Sequence, residues 1–577
     1  MPLEIARGSL RPLKLTGLPV EILRLVLFNI LEEDGTAVGA WDIQFPWTTS
    51  RLDADRARRR DIGALRLVCR LFSELAAPLL FPTLALQVTQ SSLDLAEKIA
   101  KNPAIAAGVR GIRLYLGYRP TRYSDSLAQY WDMRLSTLQR LERYHNYCYE
   151  PYEWRCSASW GEDEEDEDEA KLRQAMEKCG RVRGAWREYV ESALNDGEEA
   201  DRAPLSEYQE IFQRGYSEFC RLHREQRRLL QHGTFADALA TAVARMPNAS
   251  SVAFFDTSDS DGTTMTHAEL ESRILGDNET LYQFLVSPLN WDTIEKRDSG
   301  VGQGVLNHTP ELECVRLLWE LPIALHRAGA GLTELWINSF PQHDGNFSAL
   351  QAQDRTTGVP AWDDLGAACQ NLEAFELLVT SSMMSRDNSL PPRDKASVDN
   401  FLGAVLSRCG TRLRSLSLNL YGLSVKTDRP GTSFEGAFHS DPFLGRLKEL
   451  PRLHCLSLRH VELERETFKS LCNGLGSDLR DLDMVDVLVH GGGWADAVDT
   501  LREKMATAFG REVGYCSLYG LYGPEFVGTD VPPVEDGSED SLSEDSVSQD
   551  DSDVLSTAVQ KYIQGLREHN PLRERGG

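Results

Sequence analysis

One spacing restricts this chain more than any other feature: apolar-x-x-apolar-x-apolar, which recurs eight times. The copies fall at Val109/Ile112/Leu114, Ala249/Val252/Phe254, Leu312/Val315/Leu317, Leu332/Leu335/Ile337, Leu372/Phe375/Leu377, Leu413/Leu416/Leu418, Leu453/Leu456/Leu458 and Leu479/Leu482/Met484. Alternation at the last two apolar positions is the period of a strand. Segments ahead of the copies, such as Trp362 to Cys369, Val398 to Arg408 and Phe468 to Leu475, carry helical spacing instead. Each unit therefore reads as a helix followed by a strand, an α/β chain built from repeats. The repeats are irregular, with starts separated by 140, 63, 20, 40, 41, 40 and 26 residues.

With 577 residues, 41% hydrophobic and 26% charged, the chain is long enough to bury more than one ordinary core. Its 62 basic and 88 acidic residues give a net charge of −26, which argues against affinity for phosphate backbones or anionic membranes. Nucleic acid and membrane are therefore not expected partners. No stretch approaches the roughly 20 apolar residues that span a bilayer, and Met1 to Leu18 scatters basic residues among prolines instead of forming a signal core. Eleven cysteines spread from Cys69 to Cys516 at wide spacings suit reduced thiols. These features together point to a cytoplasmic or nuclear location.

The negative charge is concentrated. Glu162 to Glu169 is eight consecutive acids, and Glu535 to Asp553 holds nine acids, no base and six serines. Like charges repel and offer nothing to bury, so a solvated loop at 162–169 and a disordered acidic serine segment at 527–553 are expected. Ser541 and Ser548 each precede an acid by three residues, a pattern that suits an acid-directed kinase. Beyond them, Leu555, Val559, Tyr562 and Leu566 share one helical face, which predicts a short terminal helix within 554–577 that docks back or binds a partner.

Near the amino terminus, Leu18-Pro19-Val20-Glu21-Ile22-Leu23 opens an apolar helix, with proline where a first turn needs no N–H. A second apolar block runs Leu65 to Phe72, then Leu75 to Phe81. Short helices this apolar need an external surface to cover them. The residues resemble the F-box, which opens Leu-Pro-x-Glu-Ile/Leu, returns with Val-Cys-Lys/Arg-x-Phe/Trp and closes near Pro-x-Leu-Phe/Trp, as here at Leu18 to Leu23, Val68 to Phe72 and Pro78 to Phe81. That resemblance implies a three-helix unit at 15–86 that docks on the Skp-type adaptor of a cullin-RING ubiquitin ligase. By matching position, Leu18, Pro19, Ile22, Leu23, Val68, Cys69 and Phe72 would form the docking surface. Leu18 and Val68 are 50 residues apart, about twice the family's separation, so 33–60 reads as an inserted loop that either is tolerated or obstructs the adaptor.

The helix-strand units resemble the leucine-rich repeat, whose strands stack in parallel into a curved sheet backed by helices. The resemblance implies a divergent repeat domain over 90–526, although the family's Asn or Cys after the strand is mostly missing. Within it, 120–232 holds three amphipathic segments, carried by Leu127/Trp131/Leu135/Leu138, by Leu172/Met176/Cys179/Val182/Trp186/Tyr189, and by Tyr208/Phe212/Tyr216/Phe219/Leu222. Ten of the 17 tyrosines lie between Tyr118 and Tyr216, so this helical insertion is expected to hold its own aromatic core, or to grip a partner. If the sheet is curved, Arg113, Tyr115, Phe255, Arg316, Trp336, Asn338, Asn419, Arg459 and Asp483 fall on its concave face as candidate target contacts.

No chemistry-bearing motif is legible. Gly491-Gly492-Gly493 precedes Trp494 without a lysine to reach a phosphate, and His145, Cys148 and Cys156 lack a fourth ligand at metal spacing. No cofactor, metal site or catalytic activity is expected. The resemblances together imply the substrate-recognition subunit of an SCF-type ubiquitin ligase, joined through the adaptor to a cullin and holding an unknown target protein. An interaction scaffold without a ligase role is the alternative, and an enzyme housed in the helical insertion is a third.

Overall fold

In the computed structural model the described residues are 18–23, 25, 59–136, 138, 167–195, 204–256, 277–291, 312–341, 346–353, 358–379, 390–423, 437–447, 449–510, 514–526 and 547–574. Their strands are β1 (Thr83–Gln87), β2 (Gly111–Tyr115), β3 (Ser251–Phe255), β4 (Glu334–Ile337), β5 (Ala374–Leu378), β6 (Ser415–Asn419), β7 (Phe438–His439), β8 (Cys455–Glu464), β9 (Asp481–His490) and β10 (Tyr515–Tyr522). All pair in parallel in one open sheet, in chain order, with the short β7 adding onto β8 beyond the end of β6.

The sequence pattern explains this register. The two alternating apolar positions of each unit align across nine strands, Leu84-Ile112-Val252-Leu335-Phe375-Leu416-Leu456-Leu482-Cys516 and Leu86-Leu114-Phe254-Ile337-Leu377-Leu418-Leu458-Met484-Leu518. Every one of these side chains is buried. A slip of one residue at any strand would turn its whole apolar set to the other face, so burial fixes the register. Each such side chain contributes roughly 1.5–3 kcal/mol by leaving water.

The apolar rows face a layer of helices. α1 (Arg70–Ala76) belongs to the amino-terminal unit, and α2 (Gln90–Ala100) starts the layer. α3 (Glu167–Asn195) and α4 (Glu207–Leu230) form the insertion, followed by α5 (Thr234–Val243) and α6 (Asn278–Val286). α7 (Leu317–Arg327), α8 (Trp362–Ala368), α9 (Pro392–Leu406), α10 (Arg465–Gly474), α11 (Trp494–Gly510) and α12 (Val547–Ile563) complete the set. α2, α5, α7, α8 and α9 pack each on the next; the short helix Asp441–Leu444 then bridges α9 to α10, and α11 and α12 follow. One contiguous hydrophobic core runs from Ala77 to Leu572.

Four expectations need correction. Leu312/Val315/Leu317 is not a strand: Glu313–Arg316 is a 3-10 turn that leads into α7, and Leu317 to Leu325 is buried on every side. A fully buried helix shows no amphipathic period, so a short apolar match misled the reading. Conversely, two strands carry the pattern uncounted, with Phe81/Leu84/Leu86 at β1 and Val513/Cys516/Leu518 at β10. The sheet accordingly begins at Thr83, inside the span expected for the amino-terminal unit. Third, the insertion's aromatic residues join the main core instead of forming a separate one. Tyr130 lies 5.6 Å from Phe212 and 5.0 Å from Phe219, ring centre to ring centre, and Trp186 lies 5.1 Å from Phe212.

The fourth concerns the carboxyl end. α12 begins at Val547, within the segment expected to be disordered, and it covers the free edge of β10, where the Leu518 N–H donates to Gln560 Oε1 at 3.3 Å. An uncovered edge strand is a template for unwanted pairing, and this helix removes it. Leu555, Val559 and Tyr562 are buried as expected, whereas Leu566 lies past the helix and is exposed. Ser541 and the acidic residues 162–166 lie outside the described residues, as does most of 33–60; Arg59 and Arg60 are in a helix that runs to residue 66.

Beyond the first five residues of each, β8, β9 and β10 pass through a left-handed residue at the same level: His460 (φ 56°), Asp486 (φ 51°) and Gly520 (φ 58°). A Cβ on Gly520 would meet Asp486 Oδ1 at 2.3 Å, so any other residue there must push the Asp486 side chain aside. Pairing resumes after this kink, which lengthens the sheet at its carboxyl-terminal half.

Candidate functional site

Two surfaces collect the residues singled out by sequence. In the first, the Pro19 carbonyl accepts the N–H groups of Ile22 and Leu23, each at 3.0 Å, starting a helix at residue 20. After a turn at Leu67 and Val68, Cys69 caps α1, its Sγ accepting the Phe72 N–H at 3.5 Å. Leu23, Phe72 and Leu75 form a small core with Leu18, Leu65, Cys69, Leu71 and Leu79 packed around it.

This arrangement divides the expected docking residues. Leu23 and Phe72 are 1% and 4% exposed, so they hold the unit together and are not free to contact a partner. Leu18 and Cys69 are half-buried against the same core, and Pro19, Ile22 and Val68 face outward. Sequence reasoning missed Val20, Leu25 and Leu67, which are exposed too, Leu67 by 88%. Of the thirteen large hydrophobic residues exposed among the described residues, five (Val20, Ile22, Leu25, Leu67 and Val68) belong to this one unit. An apolar pair at a turn, Leu67-Val68, has no core to serve, and that was the available signal. Concentrated apolar exposure of this kind marks an interaction surface.

The second surface is the sheet face away from the helices. In its amino-terminal part the candidate aromatic contacts are covered. Phe255 and Trp336 are 4% and 6% exposed, and Arg113 is also buried, its guanidinium 5.4 Å from the centre of the Phe255 ring. Tyr115 is half-buried 5.9 Å from the same ring. Asn338 follows β4 and donates its N–H to the Phe254 carbonyl. Arg316 is not on the sheet at all; it sits in the 3-10 turn before α7 and pairs with Glu320 at 2.9 Å.

The carboxyl-terminal half is where the face remains accessible. Glu376, Ser417, Ser457, Asp483 and Ser517 align at one level across β5, β6, β8, β9 and β10, and Asn419, Arg459, Val485 and Tyr519 align at the next from β6 onward. Arg459 donates to Asp483 Oδ2 from Nε at 2.8 Å and Nη2 at 2.7 Å, and the Ser457 hydroxyl donates to the same oxygen at 2.9 Å. The Asn419 side-chain oxygen is taken by the Tyr421 N–H at 3.1 Å. Burial pushes the Glu376 carboxyl up to about 7, against the pull of Arg459. Tyr515 and Tyr519, both unpredicted, are 58% and 48% exposed on β10. Polar groups fixed by mutual hydrogen bonds thus lie beside exposed tyrosines on this half of the face.

The glycine triplet links β9 to α11. Gly491, Gly492 and Gly493 are all left-handed, and Glu525 Oε1 accepts the N–H groups of Gly493 at 2.6 Å and Trp494 at 3.1 Å. The chain's own carboxylate thus fills the anion position at the start of α11. Among the described residues no group of three metal-ligating side chains converges; His145, Cys148 and Cys156 lie outside them. No helix among the described residues is long and apolar enough to cross a membrane. No protein-family model, curated protein or solved structure matches the chain.

Proposed function

We propose that this chain is the target-binding subunit of a cullin-RING ubiquitin ligase of the SCF type, an F-box protein with divergent leucine-rich repeats. The observation that carries the reading is the division of the amino-terminal unit into a small buried core and an outward apolar surface, on the residues that resemble the F-box. Ile22 and Val68 come from that resemblance; Val20, Leu25 and Leu67 extend it. The repeat part of the reading is supported by the two apolar rows that run in register across nine parallel strands. The polar and tyrosine-bearing half of the sheet face then holds the target, and the chain acts by raising the target's effective concentration beside the ubiquitin-charged enzyme.

Co-purification tests this directly. Wild-type chain co-expressed with a Skp-type adaptor and a cullin is expected to elute with both, and a well-folded chain that elutes alone would remove the ligase role. The length of the segment between Ile22 and Val68 favours one second reading, a scaffold whose 33–60 loop covers the adaptor surface. Deleting 33–58 separates the two, since adaptor binding gained on deletion is expected only of the scaffold.

A further inference from the structure

We propose that a cavity of about 280 Å³ beside the carboxyl-terminal half of α4 is a binding site for a phosphate monoester. One wall is α4 and the other is Ser124 and Asp125, at the end of the short helix Thr121–Asp125. Arg224, Arg227 and Arg228 line it from one side of α4, at spacings of three and four residues, and all three are exposed. Their neighbour Arg221 is satisfied by Glu218 at 2.8 Å and Glu225 at 3.0 Å, yet among the described residues these three have no carboxylate partner. Like charges this close on a helix repel, and in a chain of net charge −26 carboxylates were available to pair them. An arriving anion relieves that repulsion.

The remaining polar groups of the lining fit the same ligand. Arg224 spends Nε on the Cys220 carbonyl at 3.3 Å, which leaves its terminal nitrogens. His223 lines the cavity from a buried position, with Nδ1 2.6 Å from the Arg119 carbonyl. A carbonyl only accepts, so Nδ1 carries the proton and Nε2 of the neutral ring is an acceptor, which suits the P–OH of a monoprotonated phosphate monoester and not its bare oxygens. A phosphate monoester brings up to two charges and three terminal oxygens to three guanidinium forks, where a lone carboxylate brings one charge and two oxygens. Asp125 is the one opposing charge in the lining, so it weakens the anion's hold. The site uses no residue of the amino-terminal surface or the sheet face, and it stands whether or not the ligase reading does.

Isothermal titration of the full chain tests it with three probes: a peptide with one phosphoserine among neutral residues, the same peptide unphosphorylated, and inorganic phosphate. The phosphopeptide is expected to bind and its unphosphorylated twin is not. Arg227→Ala/Arg228→Ala should weaken binding by about a hundredfold, and Asp125→Asn should tighten it severalfold. Because these side chains are not part of the core, the melting temperature should hold, and a gain in Asp125→Asn cannot arise from unfolding. Binding of both phosphopeptide and inorganic phosphate would identify the phosphate group itself as the ligand; binding of the phosphopeptide alone would identify a phosphorylated polypeptide as its source. Failure of both to bind, or undiminished affinity in Arg227→Ala/Arg228→Ala, would overturn the assignment.

Discussion

Replacing Asp499 by alanine should release the carboxyl-terminal cap while leaving the sheet folded. Asp499, on α11, accepts the Tyr562 hydroxyl at 2.7 Å, the Asn570 amide at 2.8 Å and Arg573 Nε at 2.8 Å. Burial alone would push its carboxyl up, but these three donors outweigh burial and hold it below the usual carboxylate range. The Tyr562 and Asn570 bonds end on an ionised, partly exposed carboxylate and contribute about 1.5 kcal/mol each, the low end for a charged acceptor. The Arg573 bond is half-exposed and screened by solvent, so the loss comes mainly from the other two and is roughly 3 kcal/mol. Against this, docking buries Leu555, Val559 and Ile563, worth roughly 1.5–3 kcal/mol each before the ordering entropy of the segment is subtracted. The remaining margin is small enough for the loss to open the cap measurably. Hydrogen exchange read peptide by peptide should show 547–574 losing about thirtyfold or more in protection, with β5 to β9 unchanged. Because a carboxylate whose pKa is lowered by folding stabilises above its unfolded pKa, wild-type protection should also fall as pH drops through the folded value. Unchanged exchange in Asp499→Ala would refute the assignment of Asp499 as the anchor of the cap.

Three further perturbations test the sheet itself. Glu376 has an unfolded value near 4.5 and a folded one of about 7, so the folded chain holds its proton longer and stability should decline as pH rises between the two, then level off. Glu376→Gln should therefore be stabilising at pH 8 by up to roughly 3 kcal/mol and near neutral at pH 4, checked by denaturant melts at both. Leu416→Ala, in the middle of an inward row, should lower stability by about 2–5 kcal/mol in the same melts without altering the amino-terminal unit. Gly520→Val should destabilise by forcing a β-branched residue to φ 58° against Asp486, and a melting temperature equal to wild type would contradict the stacked left-handed kink.

How much of this was legible in sequence depended on what set each feature. The inward rows were read correctly at seven of eight copies because period-two burial is a local constraint that the residues themselves display. Leu312 to Leu317 misled because a helix buried on all sides, as α7 is, shows an unbroken apolar run in which a strand match arises by chance. Among site residues, matching positions in the amino-terminal block could not separate Leu23 and Phe72, which face inward, from Ile22 and Val68, which face out; that division depends on the packing of three helices, not on any single motif. Phe255 and Trp336 illustrate a further limit, since alternation fixes which face a side chain occupies and not whether that face is covered. The carboxylate at the glycine triplet was also beyond reach, because Glu525 lies 32 residues along the chain from Gly493.

The most direct test of the proposed function measures adaptor affinity of the outward apolar surface. Leu67 is almost fully exposed, so covering it gains about 1.5–2.5 kcal/mol, and an aspartate there adds the cost of an unpaired buried charge. Ile22→Asp/Leu67→Asp should leave the melting temperature within a few degrees of wild type, since neither side chain is part of the small core. Titrated with a Skp-type adaptor, wild type should bind at one-to-one stoichiometry and the double variant should lose at least about a hundredfold in affinity. Equal affinity of the two folded proteins, or no adaptor binding by wild type, would contradict the account.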